Sequence, residues 1–261
     1  MTKETKNESI VDAIRASAGI VTKQGEYAKL AQMAYLSPGQ SNAPEFERAK
    51  FIESDNAEAW IFFTPEATVI SCRGTEPSQI KDITADLKFW RIDPAGTGEK
   101  IHSGFWSEAF SLFPKVIKNL PDDEKPIAVT GHSLGGAMAV IMTGFLLKSG
   151  YNVKELYTYG QPRVGNKKFC DRITRDCDWQ RFINNNDIVP RVPLKMGWVF
   201  HDGGNLNYIN SYGNVGDLTW WQSIKDSWRG HTSAWKKKQW FDSFYDHSAL
   251  LYRRLLNNEY E

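Results

Sequence analysis

Cysteine is scarce in this sequence. Cys72, Cys170 and Cys177 are the only three, and an odd number cannot all pair within one chain. No C-x-x-C spacing occurs, which removes the common zinc and dithiol patterns, so no metal or cofactor is expected. A Cys170–Cys177 pair stays open, but reduced thiols in a cytosolic-type protein are the simpler expectation. Long apolar runs are also missing, and no stretch reaches the roughly 20 residues that a membrane helix needs. The charged start, Met1 to Glu8, leads into no continuous apolar segment of the secretory type. The expected location is therefore cytoplasmic, with export by a route that the sequence does not reveal as the alternative. Charge of one sign is lacking too: 32 basic residues face 31 acidic ones, which argues against nucleic acid as a partner. Repeats, low-complexity tracts and linkers are absent. Residues 1–261 therefore read as one monomeric α/β domain.

What the sequence does contain is organised around Gly131-His132-Ser133-Leu134-Gly135-Gly136. The apolar stretch Pro126 to Thr130 before it reads as a buried strand, and Ala137 to Leu147 after it reads as a buried helix. A strand feeding a helix through G-x-S-x-G is a nucleophile elbow, in which a tight turn pushes the serine Oγ outward. Gly131 and Gly135 remove Cβ atoms that would collide across the turn, and Gly136 and Ala137 let the helix approach the strand. The helix N-terminus points backbone N–H groups toward the place where an oxyanion would form.

Elsewhere, strand and helix patterns alternate. Helical spacing covers Glu26 to Tyr35, Gly104 to Leu120, Asn166 to Asp176 and Asp246 to Leu256. Strands are predicted over 59–63, 67–72, 155–159 and 180–184, and 197–209 reads as a hairpin through Gly203-Gly204. This alternation implies a mostly parallel sheet with helices on both faces.

A serine hydroxyl needs an imidazole within reach and an acid behind that imidazole. On such sheets the chain order is serine, acid, histidine. His102 and His132 come too early for that order, and His132 lies inside the elbow. His247, at the start of the last helix, is the leading candidate, with His201 next and His231 also available. Asp187 ends a strand on the same rim as the elbow, before the stiff segment Ile188-Val189-Pro190. Asp246 and Asp202 adjoin histidines in sequence, where neighbouring side chains diverge; capping or turn formation suits them better.

Several separated stretches resemble one family, the class 3 or fungal-lipase-like group of α/β-hydrolases. They are Arg73-Gly74-Thr75, Asp86-Leu87, His102 to Phe105, Thr130 to Ala137, Tyr157 to Asn166, Asn184 to Pro193, and Asp246-His247 with Tyr252. The resemblance implies the α/β-hydrolase fold with Ser133 as nucleophile, Asp187 as orienting acid and His247 as general base. It also implies that Thr75 and the backbone N–H of Leu134 form the oxyanion hole, and that His201 is structural. Where the family usually carries an aromatic before the arginine, this chain has Cys72. The activity implied is lipase-type hydrolysis of acyl-ester lipids, with transient contact at a lipid interface. Phospholipase A1 and feruloyl-type esterase are rivals, and an inactive binding module on the same fold is a third.

The resemblance makes residues 76–90 a lid. Ile80, Ile83, Leu87 and Trp90 share one helical face there and would bind acyl chain or lipid, although a permanently packed surface helix has the same pattern. The tryptophans from Trp220 to Trp240 can likewise line an acyl slot or fill core, and Lys236 to Lys238 can touch anionic headgroups or simply be solvated.

Overall fold

Strands of a parallel sheet are covered on both faces and read as continuous apolar runs. The central strands of this chain meet that requirement. The computed structural model describes residues 22–39, 49–54, 57–75, 90–185, 187–193, 200–210, 215–216 and 247–257. In chain order its elements are α1 (Lys23–Met33), β1 (Ala49–Glu53), β2 (Glu58–Phe63), β3 (Thr68–Cys72), β4 (Arg91–Ile92), β5 (Ile101–His102) and α2 (Ser103–Asn119). There follow β6 (Ile127–His132), α3 (Leu134–Lys148), β7 (Val153–Tyr159), α4 (Lys167–Asp176), β8 (Asp178–Asn184), a 3-10 turn at Val189–Arg191, β9 (Asn205–Ile209), β10 (Val215–Gly216) and α5 (Ala249–Asn257).

The main sheet has the order β1-β2-β3-β6-β7-β8-β9-β10. The run from β3 through β9 is parallel, and antiparallel pairs close both ends. Helices α2, α3 and α4 pack on one face against Ile61, Ile70, Val129 and Leu156. Helices α1 and α5 cover the other, against Phe62, Val69, Ala128 and Tyr157. Both β3 and β6 are buried at every position. Helix α3 is buried from Leu134 through Gly144 and again at Leu146, because it is apolar all round and lies between the sheet and α2. Two buried hydroxyls tie α1 down: Ser71 Oγ donates to Leu30 O at 3.0 Å and Thr130 Oγ1 to Tyr27 O at 3.3 Å.

The expected hairpin across Gly203-Gly204 is corrected. β9 pairs in parallel with β8 and antiparallel with β10, which follows it. The two glycines serve the Trp179 indole instead: a Cβ on Gly204 would come within 2.7 Å of Trp179 Cγ, and one on Gly203 would also strike the ring. Residues 49–53, with Lys50 and Glu53 in a short run, form an edge strand that sequence patterning missed. Residues 76–89 of the expected lid, including Ile80, Ile83 and Leu87, lie outside the described residues, as do 217–246 with the tryptophan-rich stretch, His231 and Asp246. Trp90 is described; it is 71% exposed and precedes β4, which pairs with β5.

Candidate active site

The β6–α3 turn holds Ser133 at φ 58, ψ −131, a conformation costing a side-chain-bearing residue about 1–3 kcal/mol. Its surroundings enforce that cost. A Cβ on Gly131 would strike the Gly135 carbonyl, one on Gly135 would lie 2.7 Å from Gly74 N, and one on Gly136 would lie 2.8 Å from Gln161 Cβ. Backbone hydrogen bonds clamp the turn as well: Ser133 N donates to Tyr159 O at 2.9 Å, and Gly136 N donates to Ser133 O at 3.0 Å.

Two residues far from it in sequence converge on this serine. His247 Nε2 lies 2.7 Å from Ser133 Oγ, while His247 Nδ1 lies 2.9 and 2.8 Å from the two oxygens of Asp187. A carboxylate only accepts, so Nδ1 carries the proton and Nε2 is left to accept from the serine hydroxyl. All three side chains are buried. The Asp187 carboxylate is held by two further donors, Val189 N to Oδ1 at 2.9 Å and the Tyr252 hydroxyl to Oδ2 at 2.7 Å. Tyr252 is itself aligned, because its oxygen accepts from Asn184 N at 2.8 Å. A buried charge with three donors is compensated rather than stranded.

Gly160, at φ +58, gives the pair its room. A Cβ there would come within 2.7 Å of Asp187 Oδ2 and 2.9 Å of His247 Nδ1. Thr75 follows the end of β3, whose Cys72 pairs with Gly131, so the Arg73–Thr75 turn runs alongside the elbow. Leu134 opens α3, and the leading N–H groups of a helix have no partner inside it. The arrangement thus offers a hydroxyl, an oriented imidazole, a compensated carboxylate and a helix N-terminus on one rim.

The other candidates go elsewhere. His102 caps α2 by accepting from Phe105 N. The His201 backbone donates to Gly165 O at 2.8 Å. Asp202 is bound by Arg163 at 2.8 Å and faces Arg181 at 3.7 Å. Sequence reasoning gave no role to Gly160, and it quoted Tyr252 without assigning a contact. The positive φ of Gly160 is invisible in a run such as Tyr159-Gly160-Gln161-Pro162. All three cysteines are free and buried, so Cys170 and Cys177 do not pair; burial pushes each thiol up to about 12.

Comparison with known proteins adds a family to this geometry. A family model described as Lipase (class 3) matches residues 69–197. Among curated proteins, the chain is similar to secreted mono- and diacylglycerol lipase A of Penicillium camembertii, at 35% identity over 143 residues, covering 52% of this chain and 46% of that one. It is also similar to secreted mono- and diacylglycerol lipase 1 of Fusarium solani, at 37% identity over 152 residues, covering 55% and 42%. The matches therefore span less than half the length of these relatives. Among solved structures, a triacylglycerol lipase whose catalytic centre is a serine-protease triad superposes with a TM-score of 0.60 at 29% identity, covering 72% of this chain and 79% of that one.

The expected cytoplasmic location is corrected by these matches. Both curated relatives are named secreted lipases, which points to an extracellular setting. That expectation rested on the lack of a secretory-type apolar segment and on the reduced thiols, and the second ground carries little weight: thiols buried this deeply need no reducing compartment to stay unpaired. Among the described residues no helix is long and apolar enough to cross a membrane.

Proposed function

We propose that the chain is a member of the class 3, fungal-lipase-like family of α/β-hydrolases, to which it is similar, and that it hydrolyses the carboxylic esters of acylglycerol-type lipids through Ser133, His247 and Asp187. The single observation that carries this reading is the unbroken hydrogen-bond line from Ser133 Oγ through both ring nitrogens of His247 to Asp187. His247 takes the serine proton as Oγ attacks the ester carbonyl. Asp187 stabilises the resulting imidazolium and keeps the ring aimed. The backbone N–H groups of Thr75 and Leu134 hold the oxyanion. His247 then returns its proton to the departing alcohol, and water enters by the same route to free the acid and regenerate Ser133.

The substrate class rests on the relatives, two of which act on mono- and diacylglycerols by name. The exposed Trp90 supports contact with a lipid interface by a monomeric α/β domain, with Ile80, Ile83 and Leu87 as further acyl contacts in the lid segment.

The test is hydrolysis of p-nitrophenyl esters from acetyl to palmitoyl, followed by diacylglycerol and phosphatidylcholine emulsions, with Ser133→Ala as control. Loss of Ser133 or His247 lowers kcat by about 10⁶, and loss of one oxyanion donor by about 10²–10³. Near-native turnover by Ser133→Ala sinks the proposal. A preference for phosphatidylcholine, or activity confined to short soluble esters, replaces the acylglycerol assignment with a phospholipase A1 or a soluble esterase.

A further inference from the structure

His132 takes no part in the steps above, yet both of its ring nitrogens are engaged next to them. It is the last residue of β6 and is buried. One ring nitrogen, Nε2, lies 2.6 Å from the backbone carbonyl oxygen of His247, and the other, Nδ1, lies 2.9 Å from the Tyr35 hydroxyl. A carbonyl has no proton to give, so Nε2 donates and Nδ1 accepts from Tyr35. Both nitrogens are thus used by the neutral ring. Burial and the nearby His247 hold His132 well below the ordinary histidine range, in keeping with that proton count.

The carbonyl it grips is the base's own. Backbone hydrogen bonding at the start of α5 includes Tyr252 N to Ser248 O at 3.1 Å, one residue beyond His247. The donor on the His247 carbonyl comes from the end of β6. Fixing that peptide plane fixes the direction in which the His247 side chain leaves the backbone. The two rings are 4.6 Å apart, and the titratable side chains facing His132 are Tyr35 beyond α1 and His247 and Tyr252 at α5. A charged His132 at that distance would oppose the imidazolium that turnover requires on His247.

We propose that His132 is a positioning residue for the general base. As a neutral Nε2–H donor to the His247 carbonyl, it aims one nitrogen of that imidazole at Ser133 and the other at Asp187. This rests on the ester-hydrolase reading above.

The test compares His132→Gln, His132→Asn and His132→Leu on p-nitrophenyl butyrate between pH 5 and 9. Rates are scaled to active sites titrated with a fluorophosphonate, and Ser133→Ala is run alongside. A glutamine amide reaches the place of Nε2 and can still donate to the carbonyl; an asparagine amide reaches only the place of Nδ1, and leucine offers neither.

The expected result is a fall in kcat of about 10–100-fold for Asn and Leu, with KM within about twofold and Gln within about fivefold of the wild type. The acid limb of kcat/KM moves to lower pH in Asn and Leu, because a loosened ring loses part of the pull of Asp187 on its Nδ1 proton, and Gln restores the limb. A merely structural histidine would lower melting temperature and active fraction without moving that limb. Equal kcat per active site in Gln and Asn, or an unmoved acid limb, overturns the proposal. If Leu does not fold, the Gln and Asn pair decides. Failure of the underlying reading is seen separately, as wild-type turnover that does not depend on Ser133.

Discussion

Gly160→Ala is expected to damage the reaction without touching any reacting atom. Gly160 adopts φ +58, so alanine there pays about 1–2 kcal/mol for the left-handed backbone alone. The new methyl then meets Asp187 Oδ2 at 2.7 Å and His247 Nδ1 and Cε1 at 2.9 Å, where ordinary contact begins at 3.4 Å. The backbone cannot retreat freely, because Gly160 N donates to Phe182 O at 3.0 Å and the neighbouring Tyr159 carbonyl accepts from Ser133 N at 2.9 Å. The imidazole and carboxylate must therefore move by about half an ångström or more. Displacement of about 1 Å can cost about 10² in rate, so kcat should fall about 10–100-fold. Stability should drop by about 1–3 kcal/mol, a few degrees in melting temperature for a chain of this size.

Gly150→Ala separates the two causes. Gly150 has φ +84 but no atom within 4 Å of its added Cβ, so it pays the backbone cost with no clash. The assay is p-nitrophenyl butyrate hydrolysis per titrated active site, with thermal melts of both variants. Gly150→Ala should lose stability and keep kcat. Wild-type kcat per active site in Gly160→Ala would refute the reasoning.

Tyr252→Phe strips one donor from the buried Asp187 and removes the hydroxyl oxygen that accepts from Asn184 N; a loss of about 1–3 kcal/mol in urea unfolding is expected, and a change under about 0.5 kcal/mol would contradict it. Burial pushes the Glu108 carboxyl up from 4.5 to about 7. Between those values the folded state keeps a proton that the unfolded state releases, so this group removes stability as pH rises through the window. Glu108→Gln should therefore gain melting temperature over the wild type progressively from pH 4.5 to 7.5, and a difference flat with pH would rule that out. The three thiols, each pushed up to about 12 by burial, should resist iodoacetamide at pH 8 in the native protein and react fully in urea; rapid native labelling would show that the burial is wrong.

Much of the fold is local chemistry and was legible in order. The strand–glycine–helix signal at 126–147, the strands at 59–63 and 67–72 and the helices near 104–120 and 166–176 all occur within a residue or three of where they were read. Such elements declare themselves through apolar period and turn residues alone. Edge strand β1 did not, because its alternation is short and carries charges. β9 misled because two glycines that make room for Trp179 look like a hairpin turn.

The sequence by itself determined that Ser133 stands in a strained turn and that an acid and a histidine must follow it in that order. Local pattern alone left several histidines in contention, with His247 leading and the family resemblance pointing to it. What the sequence could not supply is the geometry that brings it to the serine. Parallel register carries β3, β6, β7 and β8 to one rim, and packing of α5 beneath it brings His247 to Ser133 across 114 residues and to Asp187 across 60. The same packing brings Gly160 against Asp187 and His247, the Tyr252 hydroxyl to Asp187 and the His132 ring to the His247 carbonyl. Those contacts are distances between segments remote in the chain, and local propensity carries no information about them.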